Sequence, residues 1–412
     1  MERRAENILL KINELALCSD DAPGVTRTFG TPAFVEGTRK LYNWFTEAGL
    51  QTRIDHIGNV RGRLLCKVPN AKTLVIASHS DTVVNAGMFD GPLGVLMGLD
   101  LIEHLIKTGV PLPFNIELIA FCDEEGVRFH TTFLGSKVVA GDFDNALLEK
   151  TDENGITLKE AIRAIGGDST LLQQDALPAG EWLGYFEIHI EQGPILYEAN
   201  IPVAVVTAIA AQKRASLMFT GHAGHAGTVP MNMRNDALCC AADCILAIEH
   251  YAKTHPGILA TVGKLDVISE ASNVIPGNVI CSLDLRSPDE DDLETAWNAI
   301  NASVKDISLK RNITGDINLI QQSPPVKCDY HLNFLLKRAI TAAGYPVKEL
   351  VSGAGHDAVP VAMVSPVAML FVRCFKGISH NPLEEVEIKD IAAAITVADL
   401  FIQNLINYHN QE

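Results

Sequence analysis

Imidazoles and carboxylates recur in this chain where apolar runs stop. His79 and Asp81 close "TLVIASHSD", Asp90 stands in "GMFDGPLG" ahead of a helix pattern, and Asp123, Glu124 and Glu125 end "NIELIAFCDEEG". His189 and Glu191 end "YFEIHIEQG", and His380 lies in "GISHNP". Three adjacent carboxylates at the end of an apolar strand repel one another and resist burial, so opposite charge has to stabilise them. Imidazoles and carboxylates gathered without thiolates form a ligand set for a first-row dication such as zinc, manganese or cobalt. There are more acids than one ion needs, which points to two ions sharing a bridging carboxylate. Taken singly, each residue has a plainer reading. A histidine at a strand end is more often a hydrogen-bonded structural residue, an acidic triplet is usually a solvated loop, and Asp81 would serve equally as a turn or N-cap residue. Two residues past His79 on an extended segment, Asp81 also shares its side and could orient the imidazole.

Residues so far apart in sequence meet only if the fold brings strand ends together, as an open parallel α/β sheet does along the carboxyl edge. The runs at 74–77, 116–121 and 185–188 suit buried strands, and "GPLGVLMGLDLIEHLIKTG" is a helix pattern closed by Gly109. From about 212 to 327 the order changes to strand "RASLMFTG", helix "NDALCCAADCILAIEHYAK", strands "LATVGKLDVI" and "NVICSLDLRS", helix "EDDLETAWNAINASVKDI" and strand "DINLIQQ". That βαββαβ order predicts a ferredoxin-like α+β domain. Afterwards "HLNFLLKRAITAAGY", "VAMLFVRC" and "IKDIAAAITVADLFIQNLINY" return to the first pattern. The expected layout is an α/β domain, with a mixed, mostly parallel sheet flanked by helices, in two parts, 1–211 and 329–412, with the α+β domain inserted at 212–328.

At 412 residues the chain exceeds what one hydrophobic core usually organises, in keeping with two domains. Its formal net charge of -17 disfavours nucleic acid and anionic lipid as partners and favours a small-molecule substrate. The nine cysteines form no CxxC pair and several sit inside apolar patterns, as buried thiols in a reducing cytosol do. "MERRAENILLKINELALC" is a helix pattern without a long apolar core or cleavage site, so a cytoplasmic protein with no signal peptide and no membrane span is expected.

"SHSDTVVNAGMFDGPLG", "DEEGVRF", "HIEQG", "GHAGTVPM", "SNVIPG", "DLR", "SGAGHDA" and "GISHNP" together resemble the dinuclear-metal amidohydrolases related to aminoacylases and zinc carboxypeptidases. Within them the chain is most similar to the branch acting on ureido compounds: allantoate amidohydrolase, N-carbamoyl-L-amino acid amidohydrolase and β-ureidopropionase. The likeness runs from about residue 25 to 395. It implies a zinc-peptidase-like fold whose inserted domain serves as lid and homodimer contact, and two divalent ions per subunit, zinc or manganese with cobalt possible. His79 and His189 would be terminal ligands of one ion, Glu125 and His380 of the other, and Asp90 the bridge. Glu124 resembles the general base. In "TGHAGHAGTVPM" Thr228 and Pro230 set the register so that His225, not His222, matches the histidine that steadies the oxyanion in the partner subunit. Asn273 resembles a substrate hydrogen bonder and Arg286 the clamp on the substrate carboxylate, a task suited to a planar bidentate guanidinium. Gln192, Gln212 and Gly355 match further substrate contacts, while Asp123 and His356 receive no role. "AQKR" at 211–214 resembles the polar stretch of allantoate enzymes, although Ala211 stands where those tend to have glycine. Gln212 with Lys213 or Arg214 could then serve a second ureido group, which places allantoate, and purine catabolism, ahead of an N-carbamoyl-L-amino acid. A dipeptidase or N-acyl amino acid deacylase comes further behind. Every catalytic position of the motif set is filled, which argues against a silent binding protein.

Overall fold

Four apolar runs form the parallel centre of a mixed sheet. In spatial order they are Asn115–Phe121, Thr73–His79, Trp182–Ile190 and Val367–Val372. Thr73–His79 and Val367–Val372 are buried at every position, because helices cover both faces and leave no polar alternation. Antiparallel strands finish the sheet. Val60–Leu64 and then Gln51–Ile54 lie beyond Asn115–Phe121, and Val203–Ile209 lies beyond Val367–Val372 and also carries Glu349–Ser352. Gln51–Ile54 is short and mostly exposed, so periodicity gives it no signal.

The computed structural model describes residues 1–268 and 271–410. The chain divides into two compact units, Met1–Thr207 with Cys328–Glu412, and Ala208–Lys327. In the larger unit, helix Pro92–Thr108 lies directly on the sheet and buries Leu93, Leu96, Met97, Leu99 and Ile102. Each such side chain contributes about 1.5–3 kcal/mol. Close approach requires Gly94, since a Cβ there would stand 2.0 Å from the carbonyl oxygen of Ile188. Helices Glu2–Ala16 and Ile388–His409 pack outside it, and Arg4 ties them together through Asp100 at 2.7 Å and Asp399 at 2.6 Å. Ile388–His409 is long and apolar enough to cross a bilayer, but it spends Ile391, Ile395, Phe401, Ile402 and Leu405 on this core.

The smaller unit is an antiparallel sheet with Thr314–Ser323, Ala211–Thr220 and Asn278–Ser287 side by side. Helices Ala237–Thr254 and Glu290–Lys310 cover one face, started by Asp236 and Asp289, whose carboxylates accept main-chain N–H groups of the first turn. Leu217, Phe219, Leu283, Leu285, Cys244 and Val304 belong to its core. The expected single strand at 259–268 is interrupted: Leu259–Thr261 and Leu265–Val267 both pair with Asn278–Ser287, but residues 262–264 oppose only 282 and 283. The extra residue is a bulge, held by reciprocal hydrogen bonds between Lys264 and Ser282 at 3.0 Å.

Candidate active site

The ends of the parallel strands and the loops after them bring His79, Asp90, His189, Glu125 and His380 together. His79 is the last residue of its strand, and His189 is next to last in Trp182–Ile190. Asp90 arrives through Gly91, whose φ of 82° and whose missing Cβ, 2.5 Å from the His79 ring, leave no room for another residue. Asp90 Oδ1 lies 3.1 Å from His189 Nε2 and 3.6 Å from His79 Nε2. Its Oδ2 lies 3.1 Å from His380 Nε2, which is in turn 3.4 Å from Glu125 Oε1. One carboxylate therefore joins two groups of donors, His79 with His189 and Glu125 with His380.

The donor set fits cations. His79 Nδ1 is 3.0 Å from the Asp81 carbonyl and His189 Nδ1 is 2.9 Å from the Ile190 carbonyl, so both rings carry a proton on Nδ1 when neutral. Their Nε2 lone pairs then face each other at 3.4 Å and face Asp90 Oδ1, a buried oxygen with no hydrogen-bond donor among the described residues. Electron pairs converging from three sides make a site for a divalent ion, with the Nδ1 bonds to carbonyls fixing the rings. Glu125, Asp90 and His380 form a second such group. Burial would raise the Asp90 carboxyl, but the imidazoles of His189, His380 and His79 around it hold it well below the usual range when they carry charge. Burial, with Asp90 alongside, pushes Glu125 up to about 7. Burial also pushes Glu124 well above the usual range, with Glu125, Asp357 and Asp81 adding to it and His79 opposing. Carboxylates that resist joint ionisation are those a bound cation relieves.

Asp81 differs in detail from the sequence expectation. The His79 ring is held by the main-chain oxygen of Asp81, while the carboxylate accepts the N–H groups of Glu124 at 3.0 Å and Glu125 at 3.1 Å. Asp81 thus fixes both the imidazole and the acidic loop. Glu124 groups with His79 and Glu125, within reach of one ion. Asp123, in the left-handed region at φ 51°, turns the chain there, and burial with Asp81 nearby pushes its carboxyl well up. Gln192, also left-handed, donates to Asp90 Oδ2 at 2.7 Å. His356 is buried, 2.7 Å from Ser352 Oγ, with its ring edge against His189. Gly355 is exposed in the same loop, its Cα facing the Phe133 ring. Glu191 accepts the N–H groups of Ile195 and Leu196 at 2.8 Å and starts a helix there. Sequence reasoning missed Glu384 and Ser379. Glu384 accepts the N–H groups of Phe89 at 2.7 Å and Asp90 at 3.1 Å, and the Ser379 hydroxyl reaches Asp90 Oδ2 at 2.8 Å. Their signal was proximity to His380 in "GISHNPLEE".

The other expected site residues belong to the smaller unit. His225 pairs with Val274 in a two-residue ladder, and the carbonyl of Asn273 accepts the N–H of Ala226 at 2.9 Å, so His225 and Asn273 are neighbours. His225 Nδ1 accepts the N–H of Gly227 at 3.0 Å, which leaves the proton of the neutral ring on Nε2 as a donor. His222, exposed, lies beside Asn235. Strand alternation separates the residues of "AQKR": Gln212 and Arg214 lie on the face away from the helices, while Lys213 is buried on the helix face with Glu294 and Trp297. On the open face Asp284 accepts from Arg286, from Gln212 and from Arg214.

The model of peptidase family M20/M25/M40 matches residues 75–404. Allantoate deiminase 2 of Glycine max is 37% identical, with 97% of this chain and 89% of that protein aligned. The N-carbamoyl-L-amino acid amidohydrolase of Geobacillus stearothermophilus is 38% identical, with 91% of each aligned. The crystal structure of a hydantoinase/carbamoylase family amidase from Burkholderia multivorans superimposes with a TM-score of 0.89 at 34% identity, covering 97% of both chains. The chain therefore belongs to peptidase family M20/M25/M40, among relatives that include allantoate deiminases and N-carbamoyl-L-amino acid amidohydrolases.

Proposed function

We propose that this protein is a metal-dependent amidohydrolase that cleaves a ureido C–N bond in a carboxylate-bearing substrate, allantoate first, releasing ammonia and carbon dioxide. The observation that carries the reading is Asp90, whose two oxygens face two separate groups of imidazole and carboxylate donors. The activities named for the relatives supply the bond class. His79 and His189 would hold one ion and Glu125 and His380 the other, with Asp90 shared between the two groups. When bound, the divalent pair, zinc or manganese with cobalt as a third candidate, polarises the carbonyl and lowers the pKa of water to about 7. Glu124 takes the proton of the attacking water and returns it to the departing nitrogen, a role worth typically about 10²–10⁴ in rate. Asp81 keeps His79 and the acidic loop in place.

The substrate contacts are assigned from the chemistry of the residues and from the family resemblance. Arg286 binds the substrate carboxylate, and Gln212, Asn273, Gln192 and the main chain at Gly355 hydrogen-bond its ureido groups. His225 of a second subunit donates from Nε2 to the carbonyl oxygen as that atom gains charge. On this reading the functional protein is a homodimer whose contact is the domain at 212–328, inserted in the sequence between the two parts of the catalytic domain, 1–211 and 329–412. All nine cysteines are free thiols, which suits a reducing cytoplasm, and allantoate as substrate places the reaction in purine catabolism.

Allantoate stands ahead of N-carbamoyl-L-amino acids because Gln212 and Arg214 share one polar face, as a substrate with two ureido groups needs. The test is ammonia release by protein reconstituted with manganese or zinc, given allantoate, a panel of N-carbamoyl-L-amino acids and one dipeptide. Preference for allantoate is the expected result. Preference for carbamoyl amino acids keeps the bond class and overturns the pocket assignment. Cleavage of the dipeptide alone, or full activity after EDTA treatment, overturns the reading.

A further inference from the structure

We propose that Asp284 is a positioning residue that organises Arg286, Gln212 and Arg214 into one recognition cluster for the substrate's carboxylate and the ureido group beside it. The inference rests on the ureido-acid reading above and names a residue that reading does not use. Asp284 and Arg286 are two residues apart on strand Asn278–Ser287 and so share a face, and Arg286 is directly opposite Gln212 on Ala211–Thr220. Asp284 Oδ1 accepts from Arg286 Nε at 2.8 Å. Its Oδ2 accepts from Arg286 Nη2 at 2.9 Å, Gln212 Nε2 at 2.9 Å and, more weakly, Arg214 Nε at 3.4 Å. The Gln212 bond completes a carboxylate whose acceptor positions are all directed at the residues read as substrate contacts.

Those bonds do two things. The paired contact through Nε and Nη2 sets the plane of the Arg286 guanidinium. The bonds to Gln212 and Arg214 fix long side chains that would otherwise sample many rotamers on a half-exposed sheet face. Binding is then tighter because less side-chain freedom is lost when substrate arrives. The strand pairing on either side is in register, and the helix-covered core excludes Asp284, so its side chain serves the open face and not the core.

The test uses metal-reconstituted full-length protein and the variants Asp284→Ala and Asp284→Asn, with KM and kcat measured on the preferred carboxylate substrate and on its neutral carboxamide. Positioning predicts that Asp284→Ala raises KM for the carboxylate substrate about tenfold while kcat stays within about twofold, the worth of pinning one arginine. Asp284→Asn, which keeps an acceptor oxygen, falls between Ala and wild type. On the carboxamide the KM differences are clearly smaller, because only the part carried by Gln212 and Arg214 remains. An unchanged or lower KM on the carboxylate substrate overturns the proposal, the latter because Asp284 would then be competing for Arg286. Equal losses on both substrates, or a melting temperature that falls in step with activity for both variants, overturn it in favour of a structural role. The wild type's choice of substrate tests the ureido reading separately. If it cleaves only a dipeptide, that reading fails, and the KM ratio is read on the dipeptide and its C-terminal amide.

Discussion

The two polar clusters solve the problem of gathered charge in opposite ways. Around Asp90 the groups other than the exposed His380 are largely buried, and the His79 and His189 lone pairs point at one another, with Asp90 Oδ1 left without a donor among the described residues. Around Asp284 the groups are half-exposed, and one carboxylate meets the N–H donors of two arginines and a glutamine. The first cluster needs a cation to be content, while the second is satisfied by its own side chains. Buried acceptors without donors mark where an ion belongs, and satisfied, exposed donors mark where geometry is held ready for a ligand.

Removing metal should separate the clusters most sharply. Dialysis against EDTA should abolish ammonia release and lower the melting temperature, and manganese or zinc should restore both. Persistence of activity would remove the distinction altogether. Next, Glu124→Gln should lower kcat by about 10²–10⁴ while metal content, measured by elemental analysis, stays at the wild-type level. Asp81→Ala, which frees the N–H groups of Glu124 and Glu125, should cost about 10–100-fold in activity or metal affinity, as second-layer changes at metal sites do.

The pH responses should also diverge. Metal binding requires an ionised Glu125, and burial has pushed its carboxyl up to about 7, so protons should displace metal as pH falls through that value. Loss of affinity should approach about tenfold per pH unit for each proton taken up, read by metal titration between pH 8 and 5. Asp284 behaves the other way. Burial raises its carboxyl, but Arg286 and Arg214 outweigh burial and hold it below the usual range. Its stabilising contribution is therefore present above the unfolded value near about 3.9 and is lost only as pH falls through the lower folded value. The thermal stability that Asp284 confers, compared with Asp284→Asn, should not change between pH 8 and 5. The smallest effect concerns neighbours in sequence. Arg214→Gln should raise KM for allantoate about fivefold, near 1 kcal/mol for one exposed charge-assisted bond. Lys213→Met should leave KM alone and change only the melting temperature, because Lys213 faces Glu294 and Trp297.

Much of the larger unit was legible because its signals are local. Uninterrupted apolar runs ending in polar residues identify Thr73–His79, Asn115–Phe121 and Trp182–Ile190 as buried strands, and parallel α/β geometry then places His79, the acidic triplet and His189 along one edge. The antiparallel strand Gln51–Ile54 gave no signal because its residues are polar and exposed. Glu384 was invisible because its role is to accept two main-chain N–H groups nearly 300 positions away, a relation without periodicity. Asp284 was legible in principle. Its spacing of two from Arg286 on a strand puts both on one face.

By itself, then, the sequence determined which chemistry is available and the order of the elements that carry it. Residue types limit what can ligate, donate or accept, and apolar periodicity is a local property of the chain. Tertiary structure alone decided how each group is used. It turned the Asp81 carboxylate toward the acidic loop and its carbonyl toward His79, sent Lys213 inward and Arg214 outward, and left Asp90 Oδ1 buried without a donor. The reason is physical: burial, the direction of a lone pair and the supply of donors depend on neighbours that only long-range packing brings within 3 to 4 Å.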